Sequence, residues 1–219
     1  MKKTIIYFLI TIQNITLFIS SILAIIFYNC FNIEFYKKFY QQENLASFIG
    51  TNYDELLKNT TNLLDYLNGK NSLNKNWFTD KDILHMIDVK DLYDTSFKFM
   101  IFGFIIFSIT TTLIIFLSRS KTLNYITALF NKILLCFILL IGLLAGIIST
   151  NFNSFWIKFH TTLFSNDLWL LSPDESNLIK MVPEEFFISL IEKIIIQVLL
   201  LFILLFILNL VVKKKVNKH

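Results

Sequence analysis

Apolar positions along the chain gather into four long runs, roughly 5–28, 97–118, 128–149 and 187–212, each bounded by polar or charged residues. A bilayer core of ~30 Å needs about 20 apolar residues in a helix, and each run is long enough. The pattern predicts an all-α membrane protein with four transmembrane helices. Two helix-patterned polar segments separate the spans, about 29–96 and 150–186. They are expected to be extracytoplasmic and to form a helical cap at the outer leaflet. The whole chain, 1–219, is then a single integral membrane domain.

The first run follows Met1-Lys2-Lys3 and invites comparison with a signal peptide. It is longer than an h-region of ~7–15 residues and ends in Ile25-Ile26-Phe27-Tyr28, with no small-residue cleavage site. An uncleaved anchor is the expectation. In the first polar segment, residues 34–48 place Phe35, Tyr36, Phe39 and Tyr40 at helical spacing. This reads as an interfacial helix with its aromatic side in the headgroups, stopped near Gly50. Asn52 with Glu55 reads as the start of a second helix that buries Leu56, Leu57, Leu63, Leu64 and Leu67 and ends at Asn68-Gly69. Residues 70–77 read as a polar loop. Thr79 is the expected cap of a third helix, with Asp80 and Asp82 in its favoured acidic first turn, running on into the span at Phe97. In the second polar segment, Ser172-Pro173-Asp174-Glu175 reads as the start of a short helix to about Met181. Pro183-Glu184-Glu185 reads as the start of the last span.

Charge sets the orientation. Lys2 and Lys3, then Arg119 and Lys121, then Lys213, Lys214, Lys215 and Lys218 occupy three segments free of acids. The positive-inside rule puts both termini and the short loop in the cytoplasm. Every Asp and Glu except Glu192 then falls in the two outside segments. The net charge of +4 conceals this split: the inner face is basic and suits anionic headgroups, and the outer face is acidic. No nucleic-acid footprint is present. Inside the spans, Gln13, Asn14, Asn131 and Gln197 are expected to face neighbouring helices. Cys30 and Cys136 are expected at different depths, as small buried hydrophobes and not as a disulfide.

Candidate chemistry rests on histidine. His219 ends the tail; His85 and His160 fall in the two outside segments, each near a membrane boundary. Asp82 and Asp88 flank His85 at spacings of three, which places all three on one side of a helix. Such carboxylates can fix an imidazole's tautomer and raise its basicity. His160 lies in the aromatic stretch 156–169, among Phe155, Trp156, Phe159 and Phe164, with Asp167 after it and Trp169 at the end. Two imidazoles of ordinary pKa ~6.5 at one interface suit general acid–base work on a substrate at lipid level. The plainer alternative is a pair of hydrogen-bonded interfacial anchors. Two further readings stay open: a four-span scaffold or sensor binding a partner through its outer helices, and a metal-dependent membrane hydrolase with zinc on the histidines and outer carboxylates. No HExxH, GxSxG, CxxC or Gly-rich phosphate loop is present, so no metal or cofactor is called for.

The string His85-Met86-Ile87-Asp88-Val89-Lys90 is followed by Phe159-His160-x-x-x-Phe164, Asp167-x-Trp169, Asp174 and Pro183-x-x-Phe186. In combination and spacing it resembles the bacterial lipoprotein intramolecular transacylases, the Lit family, over essentially the whole chain. One departure is Asp82, where the family often has a Glu two or three residues before the first histidine. The resemblance implies enzymes of the bacterial cytoplasmic membrane that act on diacylglyceryl-modified lipoproteins among membrane lipids. They move the sn-2 acyl chain to the α-amine of the N-terminal Cys, giving lyso-form lipoprotein. The implied catalytic residues are His85 and His160. Asp82 or Asp88 would orient His85. Lys90 would be an oxyanion or headgroup donor and Trp169 an interface anchor, with Asp167 and Asp174 in support. Turning an ester into an amide is downhill, so no cofactor is expected.

Overall fold

The computed structural model describes residues 2–117 and 122–216. Arg119, Lys121, Lys218 and His219, invoked above for orientation or as the tail histidine, lie outside the described residues. Those described form nine helices and no strand: α1 (Lys2–Cys30), α2 (Ile33–Gln42), α3 (Leu45–Ile49), α4 (Tyr53–Leu67), α5 (Asp80–Leu117), α6 (Thr122–Thr150), α7 (Phe152–Leu163), α8 (Asn177–Met181) and α9 (Glu184–Val216). Four of them, α1, α5, α6 and α9, are long and apolar enough to cross a membrane. The four predicted spans are all present. At 1.5 Å per residue, the 38 residues of α5 extend roughly 57 Å, well beyond a ~30 Å hydrocarbon core. Its charged first part is therefore not spanning, and the apolar part begins at Phe97.

The chain divides into two compact units. The first comprises residues 1–26, 96–150 and 193–219, that is, the apolar lengths of the four long helices. Its centre is Phe18, Leu134, Val198 and Phe202, with the rings of Phe130 and Phe137 edge-on to Phe18, each at 5.3 Å between centres. Outward-facing Phe8, Phe102, Ile115, Leu139 and Leu200 are exposed, as expected of surfaces that meet lipid. Gln13 Nε2 donates to Thr111 Oγ1 (2.7 Å), and Asn209 Nδ2 donates to Asn131 Oδ1 (2.7 Å) and to the Thr127 carbonyl (2.8 Å). Gln13 and Asn131 thus tie neighbouring helices together, as their positions suggested. Asn14 is buried and its Nδ2 has no partner. At Gly103, α5 approaches α1 so closely that a Cβ would stand 2.0 Å from Ser20 Oγ.

The second unit comprises residues 27–95 and 151–192. Here the structure departs from sequence expectation in four places, the last of them the loop after α4. The single helix expected over 34–48 is two, α2 and α3, separated at Asn44, which takes the left-handed conformation (φ 48°) that Asn tolerates better than most residues. The aromatic face of α2 does not point into headgroups: Tyr36, Phe39 and Tyr40 are buried, with Phe35, Tyr36 and Phe39 rings around Phe186. The two hydroxyls are satisfied inside the unit, Tyr36 on the Cys30 carbonyl and Tyr40 with Thr60 Oγ1, each at 2.9 Å. Burial with every polar group paired outweighs a place at the interface. Third, Ser172–Glu175 is a turn, with the Glu175 and Ser176 amides donating to the Ser172 carbonyl. The helix starts only at Asn177, where Ser176 accepts from the Ile179 amide.

Two expected caps are found. Asn52 Oδ1 accepts from the Glu55 amide (2.8 Å) at the start of α4, which buries Leu56, Leu63 and Leu64. Thr79 caps α5. The loop between these helices is less polar than its composition suggests: Leu73, Trp77 and Phe78 are buried, and Asn74 links it to Asn59 and Asn62 of α4.

Candidate active site

His85 lies in the second turn of α5, and that turn is fixed by a reciprocal cap. Thr79 Oγ1 accepts from the Asp82 amide (3.1 Å), and Asp82 Oδ2 accepts from the Thr79 amide (3.0 Å). Asp82 is wholly buried, and Ser176 Oγ donates to its Oδ1 in a short hydrogen bond. Its carboxylate is therefore spent on holding the start of α5 against the cap of α8. Asp88 Oδ2 accepts from Asn166 Nδ2 (2.9 Å). Among the described residues, neither aspartate is hydrogen-bonded to His85. The His85 side chain is buried and its Nδ1 has no partner.

His160 is carried by α7, whose start is capped by Asn151 through the Ser154 amide (2.9 Å). Its Nδ1 lies 2.8 Å from the Trp156 carbonyl oxygen. A carbonyl only accepts, so Nδ1 bears the hydrogen and Nε2 is left as the basic nitrogen. Four rings surround the imidazole: Trp156 at 4.5 Å, Trp169 stacked at 4.8 Å, Phe159 at 5.4 Å and Phe164 at 5.7 Å. Phe155 packs on Phe152 and Phe159 instead. Phe164 also meets His85 edge-on at 5.4 Å. The two imidazoles, 75 positions apart in sequence, have ring centres 6.2 Å apart.

Burial is the main influence on both. It lowers His85 to about 4, helped by His160 and opposed by Asp88 and Asp82. It also lowers His160, against the opposing effect of the bond to the Trp156 carbonyl. Both rings are neutral at pH 7, each with a proton to give and a lone pair to receive one. Such a pair can accept a proton from one substrate atom and return one to another.

The family model for the lipoprotein intramolecular transacylase Lit matches residues 11–187, most of the chain. The chain belongs to the Lit family. Its fold agrees with a solved structure of the membrane-integral lipoprotein intramolecular transacylase Lit from Bacillus cereus: 22% identity, 99% of this chain and 100% of that one, TM-score 0.85. Two further Bacillus cereus Lit structures, with a histidine replaced by Arg or by Ala, match at 21% identity and TM-score 0.79, over 99% of this chain and 95% and 97% of theirs. No curated protein matches by sequence. Membership makes this a lipoprotein transacylase, and neither the scaffold reading nor the metal-dependent hydrolase is favoured. Among the described residues, no group of three or more His, Cys, Asp and Glu could hold a metal ion.

The other residues that the Lit motifs single out are placed variously. Trp169 stacks on His160 and belongs to the cluster. Lys90 does not: its Nζ donates to the Leu67 carbonyl at the end of α4 and to Asp94, each at 3.1 Å. Asp167 is exposed and contributes its backbone carbonyl to a turn with Leu170. Asp174 lies exposed in the turn after Ser172, to whose hydroxyl its amide donates (3.3 Å). Sequence reasoning missed Ser176 and Asn166, the partners of Asp82 and Asp88. Ser176 carried a signal, as a serine with good N-cap chemistry just before Asn-Leu-Ile, but Ser172-Pro173 offered the stronger pattern.

Proposed function

We propose that the enzyme moves the sn-2 acyl chain of a diacylglyceryl-modified lipoprotein to that lipoprotein's own N-terminal α-amine, with His85 and His160 as the acid–base pair. The observation that carries this reading is the pair itself: two buried, neutral imidazoles 6.2 Å apart, one with its basic nitrogen defined. The free α-amine attacks the ester carbonyl, forming the C–N bond. An imidazole, His160 through Nε2, receives the proton that the amine sheds. The tetrahedral intermediate then breaks its C–O bond, and the departing glyceryl oxygen takes a proton back from the pair. One proton moves from nitrogen to oxygen and nothing else is consumed. His85 is the second member of the pair; its Nδ1 is buried with no hydrogen-bond partner, which costs about 1–3 kcal/mol. Trp169 holds the His160 ring by stacking. Amine and ester belong to one molecule, so the site's main task is to hold them in register.

In this reading the second unit is a helical cap at the outer leaflet of the bacterial cytoplasmic membrane, among the lipids that surround the substrate. The acid-free basic run at Lys213, Lys214 and Lys215 favours a cytoplasmic C-terminus, and an even number of spans puts the N-terminus on the same side. No nucleic acid takes part. The test is a synthetic diacylglyceryl lipopeptide with different acyl chains at sn-1 and sn-2, given to the purified enzyme. The expected product is N-acylated with the sn-2 chain. Release of free fatty acid, or transfer between two labelled lipopeptides, would contradict an intramolecular reaction.

A further inference from the structure

Next to the histidine pair lies a cavity of about 290 Å³, lined on one side by α5 and on the other by the end of α7 and the residues after it. Asp88, Asp91 and Thr95 come from α5, and Phe164, Ser165 and Asn166 from the other wall. Phe164 is shared with the catalytic cluster, where it meets both imidazoles. Asp88 lies three positions from His85, and Thr95 lies seven from Asp88, on the same face of α5 as Asp88. The cavity therefore begins one helical turn from His85.

Its lining is mixed: Leu92, Leu163 and Phe164 are apolar, and Asp88, Asp91, Thr95, Ser165 and Asn166 put carboxylates, hydroxyls and an amide beside them. Asp88 spends one oxygen on Asn166, and Asp91 is exposed and makes no hydrogen bond or ion pair among the described residues. No lysine or arginine lines the space. The substrate has one part that must leave the site and cannot enter lipid. Its reacting nitrogen sits on the α-carbon of the lipidated cysteine, and the same carbon carries the start of the polypeptide. Each further residue advances at most ~3.6 Å. The two residues after the cysteine must therefore lie within about 10 Å of the histidines, in a space that offers partners to peptide groups and charges.

We propose that this cavity receives the polypeptide immediately after the lipidated cysteine, and that Asp88 and Asp91 make the enzyme favour basic or neutral residues there over acidic ones. Asn166, Ser165 and Thr95 offer partners to the peptide backbone. The two carboxylates read the charge of the side chains, attracting a cation and repelling an anion. The inference rests on the transacylase reading and adds a substrate preference to it.

The experiment uses the full-length enzyme in lipid nanodiscs with three lipopeptides that differ only in the second and third residues: Lys-Lys, Ser-Ser and Glu-Glu. Wild-type kcat/KM is expected to fall in that order, by about tenfold from first to last, a few-fold for each charge near a carboxylate. In D91N the spread narrows, and in D88N/D91N it shrinks to about twofold or less. The readout is a ratio within one preparation, so partial loss of folded protein does not mimic it. Equal wild-type turnover of the three, or an unchanged preference in the double variant, overturns the proposal while leaving the transacylase intact. Failure of the wild type to turn over any of them overturns the proposed function and this inference together.

Discussion

The two units of this chain are built by different means. In the membrane-spanning unit an aromatic and aliphatic seam around Phe18 is supplemented by a few interhelical hydrogen bonds, such as Gln13 to Thr111. Much of its apolar surface is exposed for lipid, and only 11–22% of each span's most apolar window is buried. The second unit has its own buried core around Phe186 and adds directed bonds to it: asparagine and serine caps, the Asn59–Asn74–Asn62 linkage, and the Ser176–Asp82–Thr79 chain at the start of α5. Apolar packing tolerates small slips, whereas a chain of hydrogen bonds fixes a side chain to a fraction of an ångström. The proposed acid–base pair would need the second kind of precision, and His85 and His160 lie in the unit that has it.

This contrast can be broken or sharpened at several points. The largest effect is expected on activity, at the pair itself: His85→Ala or His160→Ala should lower turnover by about a thousandfold, with the protein still inserted in the membrane. Next in size is Asp82→Ala, which strands Ser176 Oγ and removes one half of the α5 cap. It should cost about 2–4 kcal/mol, read as faster proteolysis within residues 27–95 while the spans stay protected. Lowered pH should act on the same unit. Unfolded His85 takes a proton near 6.5, whereas the folded ring resists until about 4. Below 6.5 the unfolded chain therefore binds more protons, and stability drops as pH falls from about 6.5 to about 4. Melting temperatures across that window should show the decline, and His85→Phe should flatten it. In the spanning unit, Gly103→Val forces α5 away from Ser20 and should cost about 1–3 kcal/mol, without altering turnover per folded molecule. Smallest is Gln13→Leu, which should change detergent melting by about 0.6 kcal/mol.

The same contrast explains what the sequence could reveal. Long apolar runs leave little choice, so the four spans and the run-on of α5 past Phe97 are legible directly. Local caps are nearly so: Asn52 with Glu55 and Thr79 with Asp82 lie three positions apart and bond as their spacing implies. Partners distant in sequence are not. Asp82 faces His85 by helical spacing, yet its oxygens go to Thr79 and to Ser176, and nothing in the local pattern discloses a serine 94 positions away. The aromatic stripe of α2 has the period of an interfacial helix, and only the presence of Phe186 shows that it is buried. Lys90 follows the motif closely in sequence but serves the end of α4. The tertiary structure brings the two histidines of the motif to 6.2 Å and determines which neighbours surround them.

The most direct test of the central claim is a mass spectrum of lipoprotein N-termini from a host that lacks every other N-acylating enzyme and expresses this chain. The wild-type protein should yield N-acylated, monoacylglyceryl lipoprotein, and the His85→Ala and His160→Ala variants should yield only the diacylglyceryl form with a free amine. Lyso-form lipoprotein at wild-type levels from both variants would contradict the account.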